Sequence, residues 1–294
     1  MSIRLIAFDL DGTLLTSQKK IDERTKASIQ KAMEQGVHIA LASGRDRNGC
    51  RFVYEPLGLE NGKNYLALIN GQIVYDFESK EYDLDDVLSP ADGLIIQTVC
   101  QKYGLEGIFC CGYDFYSYLS KSGQFKKKLR LMLSRRNEDY GLATGKEHRN
   151  FIQLDGRPYV FSQDINKVCC IRTPKFFEKH LDDLKKDLSA YDLLMVGNNW
   201  LEIMPKGVSK ASALEKIARK NGFTMNEVMA FGDAQNDIGM LSQAGIGVAM
   251  GNGMKDVKEI ATLVTDTNDN NGIGKVIDAL LEGKEELLRN GNIE

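Results

Sequence analysis

The stretch Leu5-Ile6-Ala7-Phe8-Asp9-Leu10-Asp11-Gly12-Thr13 decides how the chain folds. Its first four residues are a continuous apolar run, which reads as a strand covered on both faces, as in a parallel α/β sheet. Two carboxylates follow at once. Sheets of that kind bind ligands beyond the carboxyl ends of their strands, so Asp9 to Thr13 should lie at a binding edge. From average composition, an Asp-x-Asp-Gly-Thr pattern arises by accident in roughly one chain in 300 of this length. An acidic surface turn is therefore a weak explanation, and the apolar lead-in weakens it further.

Two carboxylates two apart on an extended segment would point to opposite faces. Gly12 lets the chain turn immediately afterwards, so both can border one cavity. Like charges at about 4 Å repel by about 4 kcal/mol at an effective dielectric of about 20, so the pair needs a cation, a shared proton or good solvation. Magnesium suits oxygen ligands and phosphate substrates. One acid could then attack phosphorus and form an acyl phosphate, while the other protonates the leaving group and later activates water.

Asp9-Leu10-Asp11-Gly12-Thr13-Leu14 resembles the first motif of the haloacid dehalogenase superfamily. The resemblance implies that Asp9 is the nucleophile, Asp11 the acid and base, and Leu10 one of the phosphate contacts. Three further segments match the superfamily's remaining motifs in order. Val37 to Ala42 reads as a second apolar strand and ends in Ser43-Gly44-Arg45. A hydroxyl and free backbone N–H groups there make a phosphate cradle, which corresponds to the second motif. Asp46 follows where the resembling subgroup has Pro, which leaves the direction of Arg45 open. Tyr65 to Ile69 gives a third strand, ended by Asn70-Gly71, which reads as a turn. In the subgroup this asparagine lies near the mouth of the site.

Ser209 caps a helix whose stripe Ala211, Leu214, Ile217 and Ala218 is apolar. Lys210 then sits in the first turn, where a cation opposes the helix macrodipole. Balancing phosphate and aspartate charge explains its place and matches the third motif; Lys206 is the competing candidate. Val228 to Phe231 is another apolar strand, ended by Gly232-Asp233-Ala234-Gln235-Asn236-Asp237, the fourth motif. By the resemblance, Asp233 completes a Mg2+ site with the Asp9 carboxylate and the Asp11 backbone carbonyl. Ser43, Gly44, Lys210 and Asn236 hold the phosphate, and Asp237 stands behind the metal ligands.

The remaining features narrow the class. A chain of 294 residues that is 43% hydrophobic can bury a large core and favours two domains. A net charge of -3 argues against a generic nucleic-acid binder. There is no 18-residue apolar run to span a membrane. Met1-Ser2-Ile3-Arg4 leads straight into the first strand, from which a cytoplasmic protein without a signal peptide is expected. The six cysteines include the adjacent pairs Cys110-Cys111 and Cys169-Cys170 and no C-x-x-C, and read as small buried apolar residues. The basic run Lys121, Lys126, Lys127, Lys128, Arg130, Arg135 and Arg136 reads as a solvated helix face. The tail after Lys284 reads as polar and frayed.

The expected fold is α/β. A Rossmann-like parallel-sheet core, residues 1–85 and 199–294, carries an inserted α/β cap, residues 86–198, as in Cof-type phosphatases with a type IIB cap. The implied activity is magnesium-dependent hydrolysis of a small phosphorylated metabolite, a sugar phosphate by default, through an aspartyl phosphate on Asp9. Two other readings use the same residues: a phosphomutase of this fold, and a non-catalytic phospholigand-binding regulator. Neither the substrate nor the oligomeric state is legible in the residues.

Overall fold

A computed structural model describes residues 2–125 and 150–292. Residues 126–136 of the basic run lie outside the described residues. The chain divides into two units, Met1–Asp85 with Val208–Glu294, and Asp86–Gly207.

The first unit is built on an eight-stranded sheet. Its strands are β1 (Leu5–Phe8), β2 (His38–Ala42), β3 (Tyr65–Leu68), β4 (Ile73–Asp76), β5 (Tyr82–Leu84), β12 (Val228–Gly232), β13 (Ile246–Ala249) and β14 (Leu263–Val264). They run in the order β14-β13-β12-β1-β2-β3-β4-β5. Pairing is parallel from β14 to β3 and antiparallel from β3 to β5. The alternation of β1 explains its central place. Ile6 and Phe8 face one apolar layer and Leu5 and Ala7 the other, all four fully buried. At about 1.5–3 kcal/mol for each large side chain, this strand is held by its neighbours on both faces.

Helices cover those faces. Glu23–Glu34 begins at Asp22, whose carboxylate accepts from the Arg24 N–H, and ends before Gly36, which takes left-handed backbone. Lys210–Lys220 begins at Ser209, whose hydroxyl accepts from the Ser212 N–H at 3.2 Å. Gly272–Leu281 buries Ile273, Val276, Ile277 and Leu280. The expected frayed tail is instead a short helix, Glu285–Arg289. Leu288 is buried there, and Arg289 donates to the carbonyls of Gly245 and Asn226, so a polar segment is fixed by one apolar anchor and one guanidinium.

Among the described residues, the second unit is a six-stranded sheet of β6 (Glu106–Cys111), β7 (Asp114–Tyr118), β8 (Asn150–Gln153), β9 (Lys167–Ile171), β10 (Asp192–Val196) and β11 (Trp200–Met204), in the order β10-β11-β9-β6-β7-β8. All its pairs are antiparallel except β7 with β8. Helices Pro90–Tyr103 and Pro174–Asp187 pack their Ile96, Val99, Phe177 and Leu184 with Phe109, Val168, Leu201 and Ile203 of the sheet. Here the expected boundary at residues 198 and 199 is corrected. Strand β11 pairs with β10 and β9 and belongs to this sheet, and the chain returns to the first unit only at Val208. All six cysteines are buried and unbridged. No described helix is long and apolar enough to cross a membrane.

Candidate active site

Parallel pairing brings three sequence motifs to one edge. Phe8 is level with Leu41 and Phe231, so Asp9, the Ser43 turn and Asp233 leave the sheet side by side. Asp9 N–H donates to the Phe231 carbonyl at 3.0 Å, and Ser43 N–H to that of Ala67 at 2.8 Å. The chain then folds back over β1, with Leu14 N–H donating to the Asp9 carbonyl. Gly12 is required twice over: its φ is +91°, and an added Cβ would fall 2.4 Å from Asp233 Oδ2. Thr13 Oγ1 donates to Asp233 Oδ1 at 2.7 Å, so Gly12 makes room for the second acid and Thr13 orients it.

Lys210 lies at the centre. Its ammonium, fully buried, donates to Asp9 Oδ1 at 2.5 Å and to Asp237 Oδ1 at 2.7 Å. The other oxygen of Asp237 accepts from the N–H groups of Asp233 and Ala234 at 2.9 and 3.0 Å. Asp237 therefore fixes the lysine and the fourth-motif loop together, a more central place than its sequence position suggests. Burial acts to lower the basicity of Lys210, but the Asp237 and Asp9 carboxylates outweigh it and hold the ammonium above its ordinary range. The expected competitor, Lys206, pairs with Asp192 in the second unit.

The acids respond to their surroundings. Burial pushes the Asp9 carboxyl up to about 7, against the attraction of Lys210 and with help from the charges of Asp237 and Asp233. Burial likewise pushes Asp233 up to about 6, against its bond from Thr13. Carboxylate oxygens of Asp9, Asp233 and Asp237 lie within 4.8 Å of one another. Three carboxylates against one ammonium leave two negative charges unbalanced in a buried space, and a hard divalent cation fits that donor set.

Asp11 behaves differently. Its carboxylate stands outside this cluster, gripped by Arg45 through Nε at 2.9 Å and Nη2 at 2.8 Å, and by Lys19 at 2.7 Å. Burial would raise its pKa, but the Lys19 and Arg45 bonds hold it below the ordinary carboxylate range. Of the three acids expected at a metal, the structure thus groups Asp9 and Asp233 and adds Asp237; any part for Asp11 rests on its backbone carbonyl. Asp46, which stands where the resembling subgroup has Pro, settles the local turn. Its carboxylate caps helix Arg47–Leu57 by accepting from the Gly49 N–H at 2.7 Å, which leaves Arg45 free to reach Asp11.

Ser43, Gly44 and Asn236 gather around Asn70. Ser43 is buried, and its hydroxyl accepts from the Arg45 N–H at 3.2 Å. Asn236 Nδ2 donates to Asn70 Oδ1 at 3.2 Å. Leu10 is buried, and its carbonyl accepts from Leu15 N–H in the turn after β1. The bonds of Asp11 to Arg45 and Lys19, and the double anchorage of Asp237, escaped the sequence reading, because only the folded turns bring these side chains together.

Residues 6–277 match the family model of haloacid dehalogenase-like hydrolases. The chain belongs to that family. It is 27% identical to a 5-amino-6-(5-phospho-D-ribitylamino)uracil phosphatase of Bacillus subtilis, over 94% of this chain and 95% of that one. It is 30% identical to an HMP-PP phosphatase of Serratia proteamaculans, over 87% of each. A haloacid dehalogenase-like hydrolase from Bacteroides thetaiotaomicron superposes with a TM-score of 0.71 at 26% identity, covering 95% of this chain and 99% of that one. A subclass IIB sugar phosphatase shares the fold, with a TM-score of 0.73 at 22% identity over 94% of this chain and 98% of that one. The chain is thus a haloacid dehalogenase-like hydrolase of the Cof-type group, and its enzyme class is phosphoric monoester hydrolase.

Proposed function

We propose that the protein is a magnesium-dependent phosphatase of a small phosphorylated metabolite, with a sugar phosphate the leading class, acting through an aspartyl phosphate on Asp9. The observation that carries this reading is the cluster of buried Asp9 and Asp237 and half-buried Asp233 around Lys210. Magnesium would be held by the carboxylates of Asp9 and Asp233 with the Asp11 backbone carbonyl, and would supply charge neutralisation for the incoming phosphate.

Asp9 attacks phosphorus; a P–O bond to its carboxylate forms as the ester P–O bond breaks, and the leaving alkoxide takes a proton from Asp11. A water then gives its proton back to Asp11 and attacks phosphorus. The acyl phosphate opens to inorganic phosphate, and Asp9 is regenerated. Lys210 keeps its ammonium throughout and offsets charge on Asp9 and on the phosphoryl oxygens, while Ser43, Gly44, Leu10 and Asn236 hold those oxygens. Since Arg45 and Lys19 hold Asp11 as a carboxylate, its turn as an acid requires it to leave that grip and take up a proton. Choice of leaving group falls to the second unit, because all four motifs lie in the first.

The test is phosphate release from a panel of phosphorylated metabolites, with magnesium and then with excess chelator. Release that magnesium supports and chelator stops is expected. Full release from a metal-stripped protein in chelator would contradict the metal, and no release from any ester would contradict the phosphatase.

A further inference from the structure

The turn that follows β3 is strained. Ile69 and Asn70 both take left-handed backbone, with φ of 51° and 56°, a region that a β-branched residue rarely enters. Such a conformation persists where the surroundings over-determine it. Ile69 N–H donates to the Arg45 carbonyl at 3.1 Å, and Asn70 N–H to the Ser43 carbonyl at 2.9 Å. Gly71 lies so close to the start of helix Lys210–Lys220 that an added Cβ would fall 2.0 Å from the Ser209 carbonyl oxygen.

The Asn70 side chain completes the set. It is buried, its Oδ1 accepts from Asn236 Nδ2 at 3.2 Å, and an added Cβ on Gly44 would meet that same oxygen at 3.3 Å. Three consecutive residues therefore touch the second-motif turn, the helix start that carries Lys210 and the fourth-motif asparagine.

We propose that Asn70 is a positioning residue for the phosphate site: its amide oxygen aims Asn236, and its packing on Gly44 sets the Ser43 turn against Asn236. Only the identity of the anion rests on the phosphatase reading; the geometry does not. The competing explanation is that asparagine stands here merely because it tolerates left-handed backbone. Asn70→Gly separates the two, since glycine keeps that backbone and removes the amide.

Three readouts are taken on wild type, Asn70→Gly, Asn236→Ala and the double variant. They are affinity for inorganic phosphate with magnesium, kcat and KM on the best ester of the panel, and the Asn236 side-chain amide resonances, with thermal midpoints as a folding control. Asn70→Gly is expected to unfold within a few degrees of wild type and to shift the Asn236 amide signals. Loss of one aimed hydrogen bond is expected to weaken phosphate binding about tenfold. In the double variant the two losses should not multiply, because both act through Asn236. If wild type hydrolyses an ester and Asn70→Gly matches it in affinity, kinetics and resonances, the positioning role is overturned and the phosphatase stands. If no ester is hydrolysed but the phosphate affinity still falls with Asn70→Gly, the positioning role is supported and the phosphatase reading is the one that fails. Fully multiplicative losses in the double variant, or no phosphate binding by wild type, overturn the proposal.

Discussion

The two sheets use their strands in opposite ways. In the first unit, parallel pairing of β1, β2 and β12 delivers Asp9, Ser43 and Asp233 to one edge, where a buried lysine meets two of the motif acids, Asp9 and Asp237. In the second, antiparallel pairing sends successive strand ends to opposite edges, and the buried ion pair of Lys167 with Glu202, 2.5 Å apart, sits within the strands on one face. A parallel sheet concentrates backbone-anchored chemistry at an edge, and an antiparallel sheet offers a face. The proposed division of labour, with reaction in the first unit and leaving-group choice in the second, follows that difference.

The largest expected effect is in the first unit. Asp9→Asn removes the proposed nucleophile and keeps its shape, so kcat on every ester should fall by about 10⁴-fold or more. A variant that retained a few per cent of wild-type turnover would break the comparison at its strongest point. Asp237→Ala should cost about 3 kcal/mol or more of stability, because it strips one of two carboxylates from a buried ammonium and frees the Asp233 N–H. Chemical denaturation measures that loss, and activity should fall with it.

In the second unit, Glu202→Ala should cost a similar amount, about 3 kcal/mol, by leaving Lys167 buried without its carboxylate. Turnover of a small activated ester should change little, in contrast with Asp237→Ala. The pH dependence follows from the sign of the shift. Burial acts to lower the Lys167 pKa, but Glu202 outweighs it and holds it above the ordinary range. Stability from the pair is therefore fully present below the unfolded-state value of about 10.4 and is lost as pH rises through the higher folded value. Unfolding followed from pH 7 to 11 should show the gap between wild type and Glu202→Ala narrowing toward the alkaline end without closing. The smallest effect belongs to Asp46→Ala, which removes a helix cap at a cost of about 1 kcal/mol and should lower the thermal midpoint slightly.

What the sequence disclosed follows the range of the interactions. Apolar strands ending in Asp9, Ser43 and Asp233 were legible because run and acid are adjacent, and Ser209 because a cap acts on its own helix. Strand β11 reads with the first unit but joins the second, since the run Trp200-Leu201-Glu202-Ile203-Met204 shows a strand but not which sheet it pairs with. The partners of Lys210 and Asp11 could not be read in full. Asp237 and Arg45 look like a second-row acid and a loop cation until the strand register brings them to the centre.

The stereochemical course at phosphorus tests the central proposal most directly. With an ester made chiral at phosphorus by oxygen isotopes, two successive in-line displacements through Asp9 give net retention of configuration in a phosphoryl group passed to an added alcohol. Inversion would mean that the acceptor attacks the substrate directly and that Asp9 never carries the phosphoryl group.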